Sequence, residues 1–549
     1  MGLLIFSVTA IAQPQYGFRV SFTDKGGTTQ SLSSPLGFLS QRAIDRRATQ
    51  GIAIDSTDLP VSPDYMDSVL TLTGAKLHLT SRWLNYTVIL LTDSSKILTL
   101  QSKPFISTIE YMAYYPAGLH KPSKDTDTTG NTLSAAQKTT GSSAYYGDSY
   151  SQSALVNGDY LHDIGWKGEG KLIAVLDEGF ADVNTAPAFD SMVNAGRLKD
   201  HYNFANASTD VFTGGLHGTT SLSTIAGNLP GTYVGAAPHA DIALYITEIG
   251  GSEQHLEMDN MMAATERADS IGADIITVSL GYNEFNYPDP SYSLKYADID
   301  GKSTIAAKAA NIATSKGILF VASAGNEGGG TWNYVLTPGD ADSAMTVGSV
   351  GLDKVPAPNS GYGPNAAGQV KPDVCMVGQP ASIMRNGPNP SFSSGTSWAT
   401  PQLAGWAACL MQASGNFTPY EIRTAIQKSA NLYNNPGLQL GYGVPNFHYA
   451  LELLNVKELP KVPDANDWII TSPNPFTGSI TLRVFNGSKS SLLDIVVTDV
   501  SGKIIYQDAV NMSAGVQNIP VTLPGVSNGL YFLKAVTGDK QQVVKLLKN

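Results

Sequence analysis

Cysteine is nearly absent: Cys375 and Cys409 are the only two in 549 residues. That excludes a disulfide-stapled scaffold and a four-thiolate metal centre. Cys375 sits in an apolar run and Cys409 beside two alanines and a leucine. Both therefore read as small buried hydrophobes, with one disulfide between them as the alternative. Charge is also scarce, since Asp, Glu, Lys and Arg supply 15% of the residues against ~25% in an average soluble protein. Basic side chains are outnumbered 35 to 46, for a net charge of −11. No general positive field is available to hold a phosphate backbone, so no nucleic-acid partner is expected. Apolar runs are short, and none approaches the ~18 residues of a transmembrane helix. What remains is 42% hydrophobic residues, enough for buried cores, over a length that suits about three domains.

Composition shifts divide the chain. Residues 1–12 read as an incomplete export signal, with an apolar stretch and Ala10-Ile11-Ala12 as a small-residue cleavage pattern, but no basic front. Residues 13–115 alternate strand and helix patterns: strands over 16–22, 76–80, 86–91 and 105–111, helices over 39–49, 63–72 and 94–101. That order suits a small α+β domain of split βαβ, ferredoxin-like type. Arg42, Arg46 and Arg47 fall on the polar face of its first helix. Residues 116–153 are Ser/Thr/Gly-rich and read as a linker.

From 154 to 456 the pattern changes to short continuous apolar runs (171–176, 242–246, 275–280, 318–323) separated by helical segments (219–226, 258–271, 306–316). Runs of this kind are strands covered on both faces, so the expected fold is an α/β, doubly wound, mostly parallel sheet. Functional residues should lie in loops at the carboxyl ends of its strands. Residues 457–466, with Pro460 and Pro463, read as a second linker. Residues 467–549 are all strand-like and read as a β-sandwich.

Four segments of the central block carry chemistry. Asp177 ends an apolar strand in Ala-Val-Leu-Asp-Glu-Gly. His217 opens a small-residue helix in Gly-Leu-His-Gly-Thr. Asn326 follows a strand in Ala-Ser-Ala-Gly-Asn-Glu-Gly. Ser397 lies in Gly-Thr-Ser-Trp-Ala-Thr-Pro at the head of a long apolar helix. Taken singly, the first three have plain readings as a turn cap, a polar helix terminus and a turn residue. A small-residue helix packed on a sheet does not explain the fourth.

Together, in this order, they resemble a subtilisin-like serine peptidase (subtilase), and the resemblance covers about residues 155–450. Gly235-Ala236-Ala237-Pro238, Val347-Gly348-Ser349 and Lys371-Pro372-Asp373 agree with it. It implies Asp177, His217 and Ser397 as catalytic residues, Asn326 as oxyanion donor, and Ser279, Leu280 and Gly281 as the substrate-binding strand. The N-terminal block is then similar to the family's inhibitory propeptide. The C-terminal block, with Pro473-Asn474-Pro475-Phe476, Gly529-Leu530-Tyr531-Phe532 and its terminal Lys-Leu-Leu-Lys-Asn, resembles a type A sorting domain of the type IX secretion system. A carbohydrate- or surface-binding β-sandwich is the alternative.

The implied protein is a secreted or cell-surface serine endopeptidase made as a zymogen, a monomer. Its partners are polypeptide substrates, its own prodomain as intramolecular inhibitor, and the secretion machinery. No cofactor is required. Structural calcium at Asp289, Asp298 and Asp300 competes with a solvated loop, which is the simpler reading. The rival functions are a catalytically idle binding protein on the same scaffold and a peptidase dedicated to processing one substrate.

Overall fold

The computed structural model describes residues 14–115, 143–286, 289–454, 468–472, 474–538 and 540–548. The signal pattern in 1–12, the polar spacer up to residue 142, the linker with Pro460 and Pro463, and Pro473 lie outside these residues. The chain divides near residue 455 into two compact units.

The first unit begins with a four-stranded antiparallel sheet. Its strands are β1 (Gln15–Phe22), β2 (Lys76–Ser81), β3 (Tyr86–Leu91) and β4 (Ile106–Tyr115), in the order β2-β3-β1-β4. Two helices, α1 (Gln41–Thr49) and α2 (Pro63–Thr73), fill the β1–β2 connection. Local chemistry sets their ends. Ser40 and Ser62 accept the Ala43 and Tyr65 N–H groups, Pro63 occupies the first turn of α2, and Gly74 ends α2 at φ +65°. The core of this sheet holds Phe18, Val20, Val69, Ile89 and Leu100. The segment expected as a third helix, following β3, is a 3-10 turn over Ser94–Leu100.

The larger part of the unit is built on seven strands: β5 (Leu172–Asp177), β6 (Leu198–Asn203), β7 (Asp241–Ile246), β8 (Ile275–Val278), β9 (Leu319–Ser323), β10 (Met345–Val350) and β11 (Val374–Val377). Every pair is parallel, in the order β11-β10-β9-β8-β5-β7-β6. The helices α3 (His217–Ala226), α4 (His255–Ile271), α5 (Ile305–Ser315), α6 (Thr396–Ser414) and α7 (Pro419–Ser429) accompany it. Strands β5 and β7–β11 are buried almost throughout, which is why they read as unbroken apolar runs. The chain returns from β7 to place β8 on the other side of β5. The carboxyl ends of β5 and β8 therefore flank a topological switch point, where ligand crevices form in open sheets. Residues 143–153, expected as linker, are largely helical, over Ser143–Tyr146 and the start of Tyr150–Leu155.

The N-terminal four-stranded part and the seven-stranded part share one apolar cluster, with Leu79, Trp83, Tyr86 and Val88 packed beside Met258, Met262 and Ala309. Around it the two are joined by charge. The chain has ten arginines, and five of them are Arg19, Arg42, Arg46, Arg47 and Arg82. All five reach carboxylates on or just after α4. Arg19 grips Asp259 through two bonds of 2.8 Å. Arg46 and Arg47 converge on Asp269 at 2.5 and 2.6 Å, and Arg82 joins them at 3.2 Å. Arg42 pairs with Asp274. The polar face assigned to Arg42, Arg46 and Arg47 is thus an interface. Arg46 and Arg47 are buried against a shared Asp269 more than 200 residues away, beyond any local window, and Arg47 also pairs with Asp58.

The second unit contains β12 (Ile469–Ser472), β13 (Ser479–Asp499), β14 (Ile504–Thr522), β15 (Gly529–Thr537) and β16 (Lys540–Lys548). Neighbouring strands are antiparallel. The long β13 pairs along its length with β14, with a register break between Asn486 and Ser490. Alternate residues such as Leu493, Ile495, Val497, Leu533 and Ala535 point into a core of its own.

Candidate active site

Asp177 is the last residue of β5 and is fully buried. Its Oδ1 accepts the Glu178 N–H at 2.8 Å and faces His217 Nδ1 at 2.7 Å. An ionised carboxylate can only accept. The facing Nδ1 therefore carries a proton, and in the neutral ring the basic lone pair is on Nε2. Two glycines permit the approach. A Cβ on Gly218 would lie 2.4 Å from the Gly179 carbonyl oxygen and 2.9 Å from Asp177 Cβ, and one on Gly179 would lie 2.7 Å from Gly215 N. Larger residues there would push the start of α3 away from the end of β5. From Gly218 to Ala226, α3 is buried, and it packs against α6.

Ser397 is the second residue of α6, which starts after Gly395 at φ +156°. Its hydroxyl donates to the Ser279 carbonyl at 3.3 Å, and the Ser279 hydroxyl donates to the Ser397 carbonyl at 3.0 Å. The second bond resolves the oddity of Pro401 inside this helix. A proline at 401 cannot return an N–H to the carbonyl four residues earlier, which is that of Ser397. The Ser279 hydroxyl supplies the missing donor, so α6 is tied to the segment after β8 where its own ladder is interrupted. Trp398, the next residue, sets its ring 4.9 Å from the His217 ring at 42°. Nothing in the local pattern singled out Trp398 or the Ser279 hydroxyl; their roles depend on contacts across the sheet.

Asn326 follows β9 and is exposed. Its Oδ1 accepts both the N–H and the hydroxyl of Thr396, at 2.9 and 3.1 Å. A backbone N–H is an obligatory donor, so the amide oxygen must face Thr396 and the NH2 group is the end left to donate elsewhere. The Asn326 N–H is held by Glu327 Oε2 at 2.7 Å. Asp177, His217, Ser397 and Asn326 thus all lie at the carboxyl ends of strands or the starts of the helices that follow.

Other sequence candidates have structural duties. Asp289 accepts the Ser291 N–H, Asp298 the Lys295 N–H, and Asp300 the N–H groups of Lys302 and Ser303. These are turn caps on the chain's own backbone. Cys375 and Cys409 are buried free thiols, and burial pushes Cys375 up to about 12. Lys371 and Asp373 are buried and paired at 3.1 Å, with Arg423 on the other carboxylate oxygen at 2.7 Å.

Comparison with known proteins accords with this geometry. Residues 168–444 match the model of the subtilase family, residues 17–128 that of the peptidase S8 propeptide domain of Bacteroidota, and residues 472–549 that of the secretion system C-terminal sorting domain. The sorting domain indicates a secreted or cell-surface location. The M-protease of Shouchella clausii (strain KSM-K16) is 30% identical over 288 residues, covering 52% of this chain and 65% of the relative. Subtilisin Savinase of Lederbergia lenta is 30% identical over 288 residues, with 92% of its length covered. The thermophilic serine proteinase of Bacillus sp. (strain AK1) is 30% identical over 295 residues, with 64% covered. The chain therefore spans just under two thirds of the M-protease and most of Subtilisin Savinase. With a seven-stranded parallel sheet and a family-model match over half its length, the protein belongs to the subtilase family.

Proposed function

We propose that the protein is the zymogen of a secreted serine endopeptidase, with Ser397 as nucleophile, His217 as general base and acid, and Asp177 as the group that orients the imidazole. The observation that carries this reading is the buried Asp177 carboxylate at 2.7 Å from His217 Nδ1. It fixes the tautomer whose Nε2 can accept a proton. A serine hydroxyl is a weak nucleophile until a base removes that proton. In the first step the Ser397 proton passes to His217 and the Oγ–carbon bond forms. The tetrahedral intermediate then collapses: the carbon–nitrogen bond breaks, and His217 returns its proton to the leaving amine. Water repeats the sequence to release the acyl group. The oxyanion is held by the Asn326 NH2 group, oriented by Thr396, and by the Ser397 N–H at a helix N-terminus. Ser279, Leu280 and Gly281 receive the substrate backbone. No cofactor enters these steps. The prodomain serves as an intramolecular inhibitor, the C-terminal unit as the address read by the type IX machinery, and the enzyme acts as a monomer.

The test is Ser397→Ala. It should abolish hydrolysis of an unstructured protein and leave the precursor at full length, whereas wild type loses its N-terminal block and reacts at Ser397 with a fluorophosphonate. Serine-reagent-sensitive turnover by the pure variant would refute the assignment.

A further inference from the structure

Trp398, beside the proposed nucleophile, holds a donor that the proposed steps leave unused. The residue is only 5% exposed, packs with Ala381 and Ile383, and sets its ring 4.9 Å from that of His217. Its Nε1–H is buried and has no hydrogen-bond partner. Buried polar groups are nearly always paired, and an indole N–H can only donate. An acceptor from outside the chain would complete the bond.

Gly395 shows where that acceptor would enter. It lies two residues before Ser397 and stands at φ +156°. Apart from the residues flanking it, a Cβ built on Gly395 would meet nothing nearer than 3.6 Å. The atoms closest to that point are Asn326 Oδ1 at 3.6 Å, Asn326 Nδ2 at 3.7 Å and Trp398 Nε1 at 3.7 Å. Asn326 Oδ1 is taken by the N–H and hydroxyl of Thr396. The Asn326 NH2 group and the indole N–H are therefore the two donors at the edge of one open space, and Asn326 is exposed on its outer side. Donors held in advance around a single oxygen suit an oxygen that gains charge during reaction. We propose, on the peptidase reading above, that the Trp398 indole N–H is a third donor to the oxyanion, acting with the Asn326 NH2 group and the Ser397 N–H. Its hydrogen bond strengthens as the carbonyl oxygen becomes anionic and weakens as the intermediate collapses; no proton is transferred.

The experiment uses two replacements. Trp398→Phe keeps an aromatic ring against His217. 3-Benzothienylalanine at position 398 keeps the indole's shape, with sulfur in place of the N–H. Each variant is freed of its prodomain by tagged wild-type enzyme, which is then withdrawn. It is assayed on a fluorogenic peptide and on a peptide aldehyde, whose adduct with Ser397 carries the same oxygen. Both replacements should lower kcat and kcat/KM together, by about 10- to 100-fold, and leave KM unchanged. Aldehyde affinity should fall by a similar factor, while the His217 ionisation in the pH–rate profile stays in place. Wild-type rates with benzothienylalanine would overturn the proposal, because the ring's packing alone would then suffice, whatever the Phe variant does. A rise in KM at constant kcat, or a displaced His217 ionisation, would overturn it too. In each of these cases the peptidase reading stands. A wild type that neither cleaves the peptide nor reacts with a fluorophosphonate sinks both.

Discussion

Asp269 is the carboxylate that receives the most arginines at the junction between prodomain and peptidase. It is fully buried and receives Arg46 at 2.5 Å, Arg47 at 2.6 Å and Arg82 at 3.2 Å. Asp269→Ala removes the acceptor and leaves two buried guanidinium groups short of countercharge; Arg47 retains Asp58. Removing one member of a buried ion pair costs about 3–5 kcal/mol, most of it the penalty of the stranded charge. The same residue has no arginine partner once the prodomain has left. There it becomes a surface carboxylate on α4, where truncation shifts stability by roughly 0.5 kcal/mol or less. The substitution should therefore separate the two forms. In a Ser397→Ala background, urea denaturation of the precursor should show the full loss, while the matured Asp269→Ala enzyme should unfold close to wild type. The prodomain's hold on the peptidase should weaken by roughly two to three and a half orders of magnitude. Equal destabilisation of both forms, or a precursor loss under about 1 kcal/mol, would refute the claim that these arginines hold the zymogen together.

Three further outcomes follow from the site and the core. Ser279→Ala should cost about 1–3 kcal/mol by orphaning the Ser397 carbonyl; adding Pro401→Ala, which restores a helical N–H, should recover most of it in urea melts, and a further loss would contradict the exchange of donors. Burial opposes ionisation of Asp373, but Arg423 and Lys371 outweigh it and bring the carboxyl down to about 2. Its folded value is below its unfolded value near 3.8, so the associated stability, about 2 kcal/mol, is complete above roughly pH 4 and disappears as pH falls toward 2. Asp373→Asn should flatten the stability profile in that window, and an unchanged slope would exclude this source. Deleting residues 467–549 should leave an active peptidase, because that segment has its own core, while stranding it within the cell envelope of the native host. Release at wild-type level, shown by fractionation, would remove the sorting role.

The legibility of this protein follows the range of each interaction. Strands β5, β7, β8 and β9 could be read because both faces are covered, which leaves one apolar run apiece. Strand β6, Leu-Lys-Asp-His-Tyr-Asn, sits at the sheet edge with polar side chains and left no such run. Asp177, His217, Asn326 and Ser397 were visible because each stands among small residues that close chain approaches demand, as at Gly179 and Gly218. What could not be read were pairings across hundreds of residues: the Ser279 hydroxyl substituting for an N–H at Pro401, Trp398 against His217, and the burial of Arg46 and Arg47. A charged helix face and a charged interface have the same local pattern. The countercharge on α4 distinguishes them.

That strip of α4 also bears on how long the enzyme lasts. Asp259, Glu266 and Asp269 lie on one helix face and are buried in the precursor. In the folded precursor the N-terminal domain supplies cations to a surface that would otherwise gather like charges over an apolar sheet. If the prodomain is cut away, as proposed, the chain that remains loses the arginines that neutralise this face. On the proposed zymogen reading, unfolding of the matured chain should therefore be hard to reverse, with its lifetime set by the rate at which it opens rather than by an equilibrium between two states. On the same reading maturation would be a one-way step: the segment whose arginines neutralise this face is discarded, and each molecule folds against it only once.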